Sequence, residues 1–310
     1  MRFPEDVPTL ADDVVTLRAH TVADIRPAYD VCQDPEMQRW TTIPVPYERH
    51  HAEHFLTEQI PNGWREGGFW GWAIEYDGRF AGTIDLHGGE GDGGEIGFGA
   101  APCARGNGVM TRAVRLVLDH AFDVFGWDLV LWRAFAGNWS SRRVAWNCGF
   151  RGFQTLRGGL SRGERRDEWT ASIARGEDRE PQGHWWTVPV LEGDGFRLRP
   201  LRPDDVDRIA EACADERTQY WLSGLPSPYL PEHARTLIES RPEMAATGNG
   251  ISWAIADPRT ALLLGNVSIF DLVHRVDHTT GEIGYWAHPE ARGRGLMTAA
   301  VGLAIRHAFT

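Results

Sequence analysis

The 310-residue sequence contains no lysine: all 32 of its basic residues are arginine. Lysine Schiff-base chemistry, the lysine-bearing phosphate P-loop and Ser-x-x-Lys hydrolysis are therefore excluded. No apolar run approaches the ~20 residues of a membrane span, and the opening Met-Arg-Phe-Pro-Glu-Asp lacks the apolar region of a signal peptide. Cysteine is sparse, at 32, 103, 148 and 213, with no Cys-x-x-Cys pair, so reduced thiols and a cytoplasmic location are expected. An excess of positive charge is also missing. The net charge of −11 speaks against a nucleic-acid partner, because counterion release needs a basic surface. It favours, mildly, cationic acceptors such as amines. A length of 310 residues suggests about two domains of ~100–200 residues each.

What is present centres on Gly94 to Phe125. Glu95 to Ala100 reads as a short strand closed by Pro102. Apolar residues then recur at Val114, Val117, Leu118, Ala121, Phe122 and Phe125, the spacing of a helix with one buried face. Between them lies Arg105-Gly106-Asn107-Gly108-Val109-Met110-Thr111. A tight turn feeding a helix start leaves backbone N–H groups without carbonyl partners, and glycines let a ligand come close, so this is a nest for phosphate or pyrophosphate. A dinucleotide fingerprint is excluded because Pro102 stands where its third glycine belongs.

The arrangement occurs twice. Leu17 to Leu198, Cys32 to Cys213, Trp40 to Trp221 and Trp72 to Trp253 share an offset of 181 residues, and Glu95 to Glu282 is offset by 187. From there Glu95-Ile-Gly-Phe matches Glu282-Ile-Gly-Tyr, and the turn recurs as Arg292-Gly293-Arg294-Gly295-Leu296-Met297-Thr298. The offset changes fall near Asp77-Gly78 and within Gly88 to Gly94, at hairpin tips that tolerate insertion. In repeat one the pattern predicts strands at 14–19, 69–76, 79–86 and 129–135, helices at 23–32 and near 47–59, and a Pro-broken loop carrying Trp40, Pro44 and Pro46. A helix from Asn138 ends at Gly149, and two last strands flank a loop from Arg157 to Glu164, the second running from Arg166 to Ala174.

The turn Arg105-Gly-Asn-Gly-Val-Met and the segment Asn138-x-x-Ser141…Gly149-Phe150 resemble the two cofactor motifs of the GNAT superfamily of acetyl-CoA-dependent N-acetyltransferases. Met110-Thr111 in place of the usual small residue resembles the RimJ/RimL branch. The resemblance covers essentially all of repeat one. It implies an α/β (mixed α+β sheet) architecture of two tandem acyl-CoA N-acyltransferase folds: residues 1–176, complete, and 184–310, truncated after the turn and helix, with 175–183 an exposed linker. It implies acetyl-CoA, or another acyl-CoA, as cosubstrate, direct transfer in a ternary complex, and a primary amine, peptide N-terminal or small, as acceptor. The protein would be a monomer or homodimer.

By the same resemblance Glu95 matches a general-base glutamate, repeated as Glu282, and Ser141 a serine that protonates the leaving thiolate. Phe98, Gly99 and Ala100 would pair with the pantetheine arm. Residues 105–111 and 292–298 would take the pyrophosphate, and Asn138 the pantetheine or phosphate region. Ala145 and Trp146 occupy the helix region where many members carry an acid tyrosine. The acceptor mouth would lie between the 40–47 and 157–164 loops, and Arg157, Arg162, Arg165 and Arg166, in and just after the second loop, would meet an acidic group or remain solvated.

Two rival readings accompany this one. His50-His51-Ala52-Glu53-His54 fits a His-x-x-Glu-His zinc motif, but its counterpart Pro231-Glu-His-Ala-Arg235 lacks the ligand set and no third ligand follows, so no metal is expected. A duplicated CoA-binding sensor without turnover is the alternative from another class. Repeat two stops at Thr310, before any strand that would pair with Glu282 to Trp286. Unpaired strand groups and exposed apolar side chains are costly, so a longer natural chain or another covering element is expected.

Overall fold

The computed structural model describes residues 2–3, 7–89 and 91–310. Glu90, inside the glycine-rich span, and residues 1 and 4–6 of the opening segment lie outside the described residues. The chain divides between Gln182 and Gly183 into two units.

The first unit runs β1 (Arg2–Phe3), β2 (Leu10–Ala11), β3 (Val15–Arg18), β4 (His20–Thr21), α1 (Ile25–Cys32), α2 (Pro35–Trp40), α3 (Arg49–His54), α4 (Ile60–Glu66), β5 (Phe69–Tyr76), β6 (Arg79–Gly88), β7 (Gly93–Ala100), α5 (Val109–Asp123), β8 (Leu129–Phe135), α6 (Trp139–Asn147), β9 (Arg151–Ser161) and β10 (Glu164–Ala174). Eight strands form one sheet in the order β2-β3-β5-β6-β7-β8-β10-β9. Leu17, Ile84, Leu86 and Ile96 are buried between less buried neighbours, the period of a half-covered strand. Trp72, Ala73 and Ile74 on β5 are buried on both faces. One face packs on α5 through Val114, Val117, Leu118 and Ala121. A separate apolar cluster holds Ile25, Ala52, Leu56 and Ile60 of the α1–α4 layer. The β7–β8 pair is parallel and the other pairings within this sheet are antiparallel.

The second unit runs β11 (Leu191–Gly193), β12 (Phe196–Arg199), α7 (Val206–Ala214), α8 (Glu216–Trp221), α9 (Pro231–Ala246), β13 (Gly250–Ala256), β14 (Leu263–His274), β15 (Thr279–Ala287) and α10 (Leu296–Ala308). Its five strands are ordered as numbered, so β15 is an outer strand, and Tyr285 on it is 50% exposed.

The duplication extends to individual contacts. Trp72 Nε1 donates to Pro8 O and Trp253 Nε1 to Pro189 O, both at 3.0 Å. His120 meets Trp72 edge-on at 5.7 Å and His307 meets Trp253 at 5.8 Å. Arg18 pairs with Asp24 at 2.8 Å and Arg199 with Asp205 at 2.7 Å, each aspartate also accepting the backbone N–H three residues before it.

Four segments differ from the sequence expectation. Pro35–Trp40 is a helix, with Asp34 accepting from Met37 N at its start and Pro35 in its first turn. The helix expected near 47–59 continues to Glu66 through a π-turn at Phe55–Gln59, which absorbs Pro61, a residue with no N–H to give the preceding turn. The expected 157–164 loop is a hairpin whose turn is Arg162-Gly163 alone, both at positive φ. The expected linker is tied down over 175–182: Glu177 pairs with Arg151, Arg179 with Asp119, and Gln182 O accepts from Trp146 Nε1.

Among the described residues no helix is long and apolar enough to cross a membrane. His20 is fully buried, and neither ring nitrogen has a hydrogen-bond partner. Burial pushes its imidazole down to about 3. The unfolded chain then takes up the proton first. The stability contributed by the neutral ring is present above about pH 6.5 and is lost as pH falls through that range toward the folded value. His20→Leu installs the residue that repeat two carries as Leu201. We expect it to flatten the pH dependence of the first unit's urea midpoint between about pH 6.5 and 4.5, as checked by denaturation at closely spaced pH values.

Candidate functional site

The parallel ladder between β7 and β8 stops at Ile96–Trp132, although β7 continues to Ala100 and β8 to Phe135. Phe98, Gly99 and Ala100 remain paired to β6 on one side, while the side toward β8 has lost its ladder. Directly beyond lies the turn. Gly106 and Gly108 sit at φ 76° and 74°, with open space where a Cβ would stand, and α5 starts at Val109 with Gly108 as its N-cap. Val109 and Met110 bury their side chains, so they and Thr111 offer a ligand mainly the backbone N–H groups of a first helical turn. Asn107 Nδ2 donates to Cys103 O at 3.2 Å, within the turn. A cavity of about 480 Å³ opens beside it, lined among others by Gly108, Thr111, Arg112, Arg115 and Asn147.

The Arg105 side chain does not face this nest freely. Its guanidinium binds Asp34, the N-cap of α2. Burial would raise the Asp34 carboxyl, but Arg105 and the Met37 N–H outweigh it and hold the group below the usual carboxylate range. Repeat two has the same clamp: Arg292 Nη2 donates to Asp215 Oδ2 at 2.6 Å and to Thr218 Oγ1 at 2.7 Å. The Arg292 hydrogen bond is the main reason that Asp215 is also held low. Gly293 and Gly295 repeat the positive φ angles, Leu296 and Met297 pack on the core, Arg294 and Thr298 are exposed, and Thr298 lines a cavity of about 230 Å³.

On the far side of the parting, α6 begins with Asn138, whose Oδ1 accepts from Ser141 N at 3.1 Å. Ser141 Oγ accepts from Trp132 Nε1 at 3.0 Å, leaving its own hydrogen for another acceptor.

Glu95 lies on the sheet face opposite α5, and Arg133 Nε donates to its Oε2 at 2.7 Å. Directly across the β6–β7 ladder are two residues that the sequence reading missed: His87 opposite Glu95, and Asp85 opposite Gly97. His87 Nε2 lies 2.7 Å from Asp85 Oδ1, with the Asp85 side chain 13% exposed and that of His87 53%. Burial pushes the Asp85 carboxyl up, and the hydrogen bond with Asp85 pushes the His87 imidazole up. The available signal was the alternation Asp85-Leu86-His87 on a strand beside Glu95. In repeat two Glu282 lies opposite Phe270 and Gly284 opposite Ser268.

The segments expected to flank an open acceptor mouth are stapled together. Arg162 donates to Gln38 O, Thr41 O and Ile43 O, each at 2.8 Å, and Arg166 donates to Arg39 O at 3.0 Å and covers Phe135. Arg165 donates to Gly158 O. The exposed stretch of the face is instead around His87, Leu131 and Arg133. The histidines of the zinc-like motif have other partners: His51 Nδ1 accepts from Glu48 N, and His54 pairs with Glu58.

The chain as a whole can be set beside known proteins. The acetyltransferase (GNAT) domain family matches residues 15–151 and 196–310. The Bacillus subtilis (strain 168) protein YdaF, which carries the name of a ribosomal N-acetyltransferase, is 32% identical over 117 residues, 36% of this chain and 61% of YdaF, less than two thirds of its length. Mycobacterium smegmatis RimJ, solved with CoA-disulfide, is similar in fold at TM-score 0.50 and 22% identity, covering 55% of this chain and 88% of RimJ. RimL, a ribosomal L7/L12 α-N-protein acetyltransferase solved with coenzyme A, is similar at TM-score 0.50 and 13% identity, over 55% of this chain and all of RimL.

The clamp geometry predicts that Asp34→Ala and Arg105→Ala destabilise the first unit by similar amounts and are not additive. A double-mutant cycle in urea should give a coupling of about 1 kcal/mol that shrinks at high salt.

Proposed function

Because the chain belongs to the acetyltransferase (GNAT) domain family, we propose that its first unit transfers an acetyl group, or a larger acyl group, from acyl-CoA to a primary amine in a ternary complex. The observation that carries this is the parting of β7 and β8 in front of the Gly106/Gly108 turn. It offers an extended slot ending in a phosphate nest, the shape of a long amide-bearing arm attached to a pyrophosphate.

In this reading the backbone of Phe98, Gly99 and Ala100 pairs with the arm's amides, and the 105–111 backbone takes the pyrophosphate. Arg105 acts by holding the turn against α2. Arg112, now paired with Asp12 and Asp13, stands in the adjoining cavity where a further phosphate would be neutralised. Asn138 positions Ser141, and the Ser141 hydroxyl, bound from behind by Trp132, donates to the departing thiolate. Glu95 gives the acceptor face negative charge and orients the incoming ammonium. In repeat two, 292–298 form a second nest and Glu282 stands on β15; turnover is assigned to the first unit, where the β7–β8 parting and Ser141 lie. The names of RimL and YdaF point to protein α-amines as the acceptor, and with it to the cytoplasm.

Free-thiol release from acetyl-CoA, measured across short peptides with free α-amines and simple alkylamines, tests the activity. Saturable CoA binding with no turnover on any acceptor would favour the CoA-binding sensor instead.

Gly108→Val places a β-branched side chain at positive φ over the nest. We expect CoA affinity to fall by about tenfold or more, and stability by about 1–2 kcal/mol from the strained backbone. Calorimetric titration and urea denaturation of the same sample separate the two, and unchanged affinity in the folded variant would put the pyrophosphate elsewhere.

A further inference from the structure

We infer that His87, held by the buried Asp85, accepts the proton that the acceptor amine must lose. This rests on the acyl-transfer reading above and assigns one step within it.

Three observations converge on His87. Its Nε2 is 2.7 Å from Asp85 Oδ1, a buried oxygen for which no well-directed hydrogen bond is otherwise found, so the contact is close but off the ideal direction. The carboxylate approaches β7 closely because the facing residue is a glycine: a Cβ on Gly97 would lie 2.6 Å from Asp85 Oδ1. Second, His87 is half exposed and pairs with Glu95, one residue before the β7–β8 ladder stops at Ile96, with the Phe69 ring 4.7 Å away on β5. Asp85 thus orients the imidazole through Nε2 and leaves Nδ1 as the nitrogen that can meet an amine. Third, Glu95, directly across the ladder, has its Oε2 engaged by both Nε and Nη2 of Arg133, at 2.7 and 2.6 Å. That pairing occupies one of its two carboxylate oxygens.

The second unit is an internal comparison. Its register repeats that of the first, but Phe270 stands opposite Glu282 and Ser268 replaces Asp85. Ser268 is buried in a closed network with Ser252 and Asn266. The scaffold therefore does not need an Asp–His pair at these positions.

The protons balance as follows. The acceptor ammonium gives one proton to His87 Nδ1, which returns it to water. The neutral amine attacks the thioester carbonyl, the C–N bond forms and the C–S bond breaks. The second N–H proton ends on the CoA thiolate. The charged groups facing His87 are Asp85 on its own strand, Glu95 on β7 and Arg133 on β8, and of these the bond to Asp85 is the largest influence, raising the imidazole above its ordinary value. A raised imidazole is a stronger proton acceptor toward an ammonium than an ordinary one.

The test uses the full chain and the peptide and alkylamine acceptors named above. His87→Gln should lower kcat/KM for acetyl transfer by about 100-fold with acetyl-CoA affinity changed by no more than about twofold. His87→Phe, the residue of repeat two, should do the same. Asp85→Asn should move the acidic limb of the kcat/KM profile to lower pH on the same acceptor, because it removes the charge that raises His87, and the ring titration of His87 followed by NMR should move with it. Glu95→Gln should retain more activity than His87→Gln. If wild-type protein acetylates and His87→Gln stays within about threefold of it, the inference falls and the acyl-transfer reading stands. If wild-type protein acetylates no acceptor, both fall.

Discussion

The parallel pairing of β7 with β8 stops at Ile96 and Trp132, and the rest of the site depends on that stop. A continuous ladder would have consumed the backbone groups of Gly97 to Ala100 and left no slot in the sheet. Because the ladder stops, one edge of β7 is free just where the chain must turn into α5, and the first turn of α5 points its unpaired N–H groups at the same opening. The face of β7 away from α5 carries Gly97 and Gly99. Without side chains these let Asp85 and Met37 approach to distances at which a Cβ would collide, 2.6 and 2.9 Å. One interruption thus leaves an open slot in the sheet, a helix start with unpaired N–H groups beside it, and a polar face.

Duplication separates what the fold requires from what chemistry would require. The clamp from the turn arginine to the α2 or α8 cap, the capping-box ion pair, the indole bond to a proline carbonyl and the edge-on His–Trp contact are all present twice. They hold turn, helix and sheet together in both units, so a structural role accounts for them. The Asp85–His87 pair occurs in the first unit, with Phe270 and Ser268 at the equivalents of His87 and Asp85 in the second. The surrounding polarity differs accordingly. In the second unit the buried groups satisfy one another through Ser252, Asn266 and Ser268, whereas Asp85 is left with a carboxyl that burial pushes up and a histidine as its close partner.

The legible part of this in the sequence was the part encoded locally. Two glycines before an amphipathic run dictate a left-handed turn and a helix start, and the Leu129–Phe135 strand agrees residue for residue with expectation. Repetition at fixed offset then made the fold readable twice. Contacts made by side chains reaching across the fold were not legible. Arg105 reads as a phosphate ligand until Asp34, 71 residues earlier, is seen to take its guanidinium. Arg162 reads as a solvated loop residue until its three carbonyl acceptors in 38–43 are known. Asp34-Pro35-Glu36 did carry a helix-start signal, but the following prolines at 44 and 46 drew the whole segment into a loop reading. His87 was hidden for another reason: an isolated histidine on a strand has no local signature, and its meaning comes from register with Glu95.

Arginine in place of lysine throughout also bears on how the acceptor face works. A guanidinium forms two directed bonds to one carboxylate and stays fixed by its planar fork, whereas an ammonium is a mobile point charge. Arg133 sets Nε and Nη2 on one oxygen of Glu95, Oε2, on β7 beside His87. The Glu95–Arg133 pair is half exposed and is worth little as stability; its effect is geometric. Of Asp85, His87 and Glu95, the His87 side chain is the most exposed. A carboxylate and an imidazole thus stand on neighbouring strands, 8 residues apart in sequence and adjacent in the ladder.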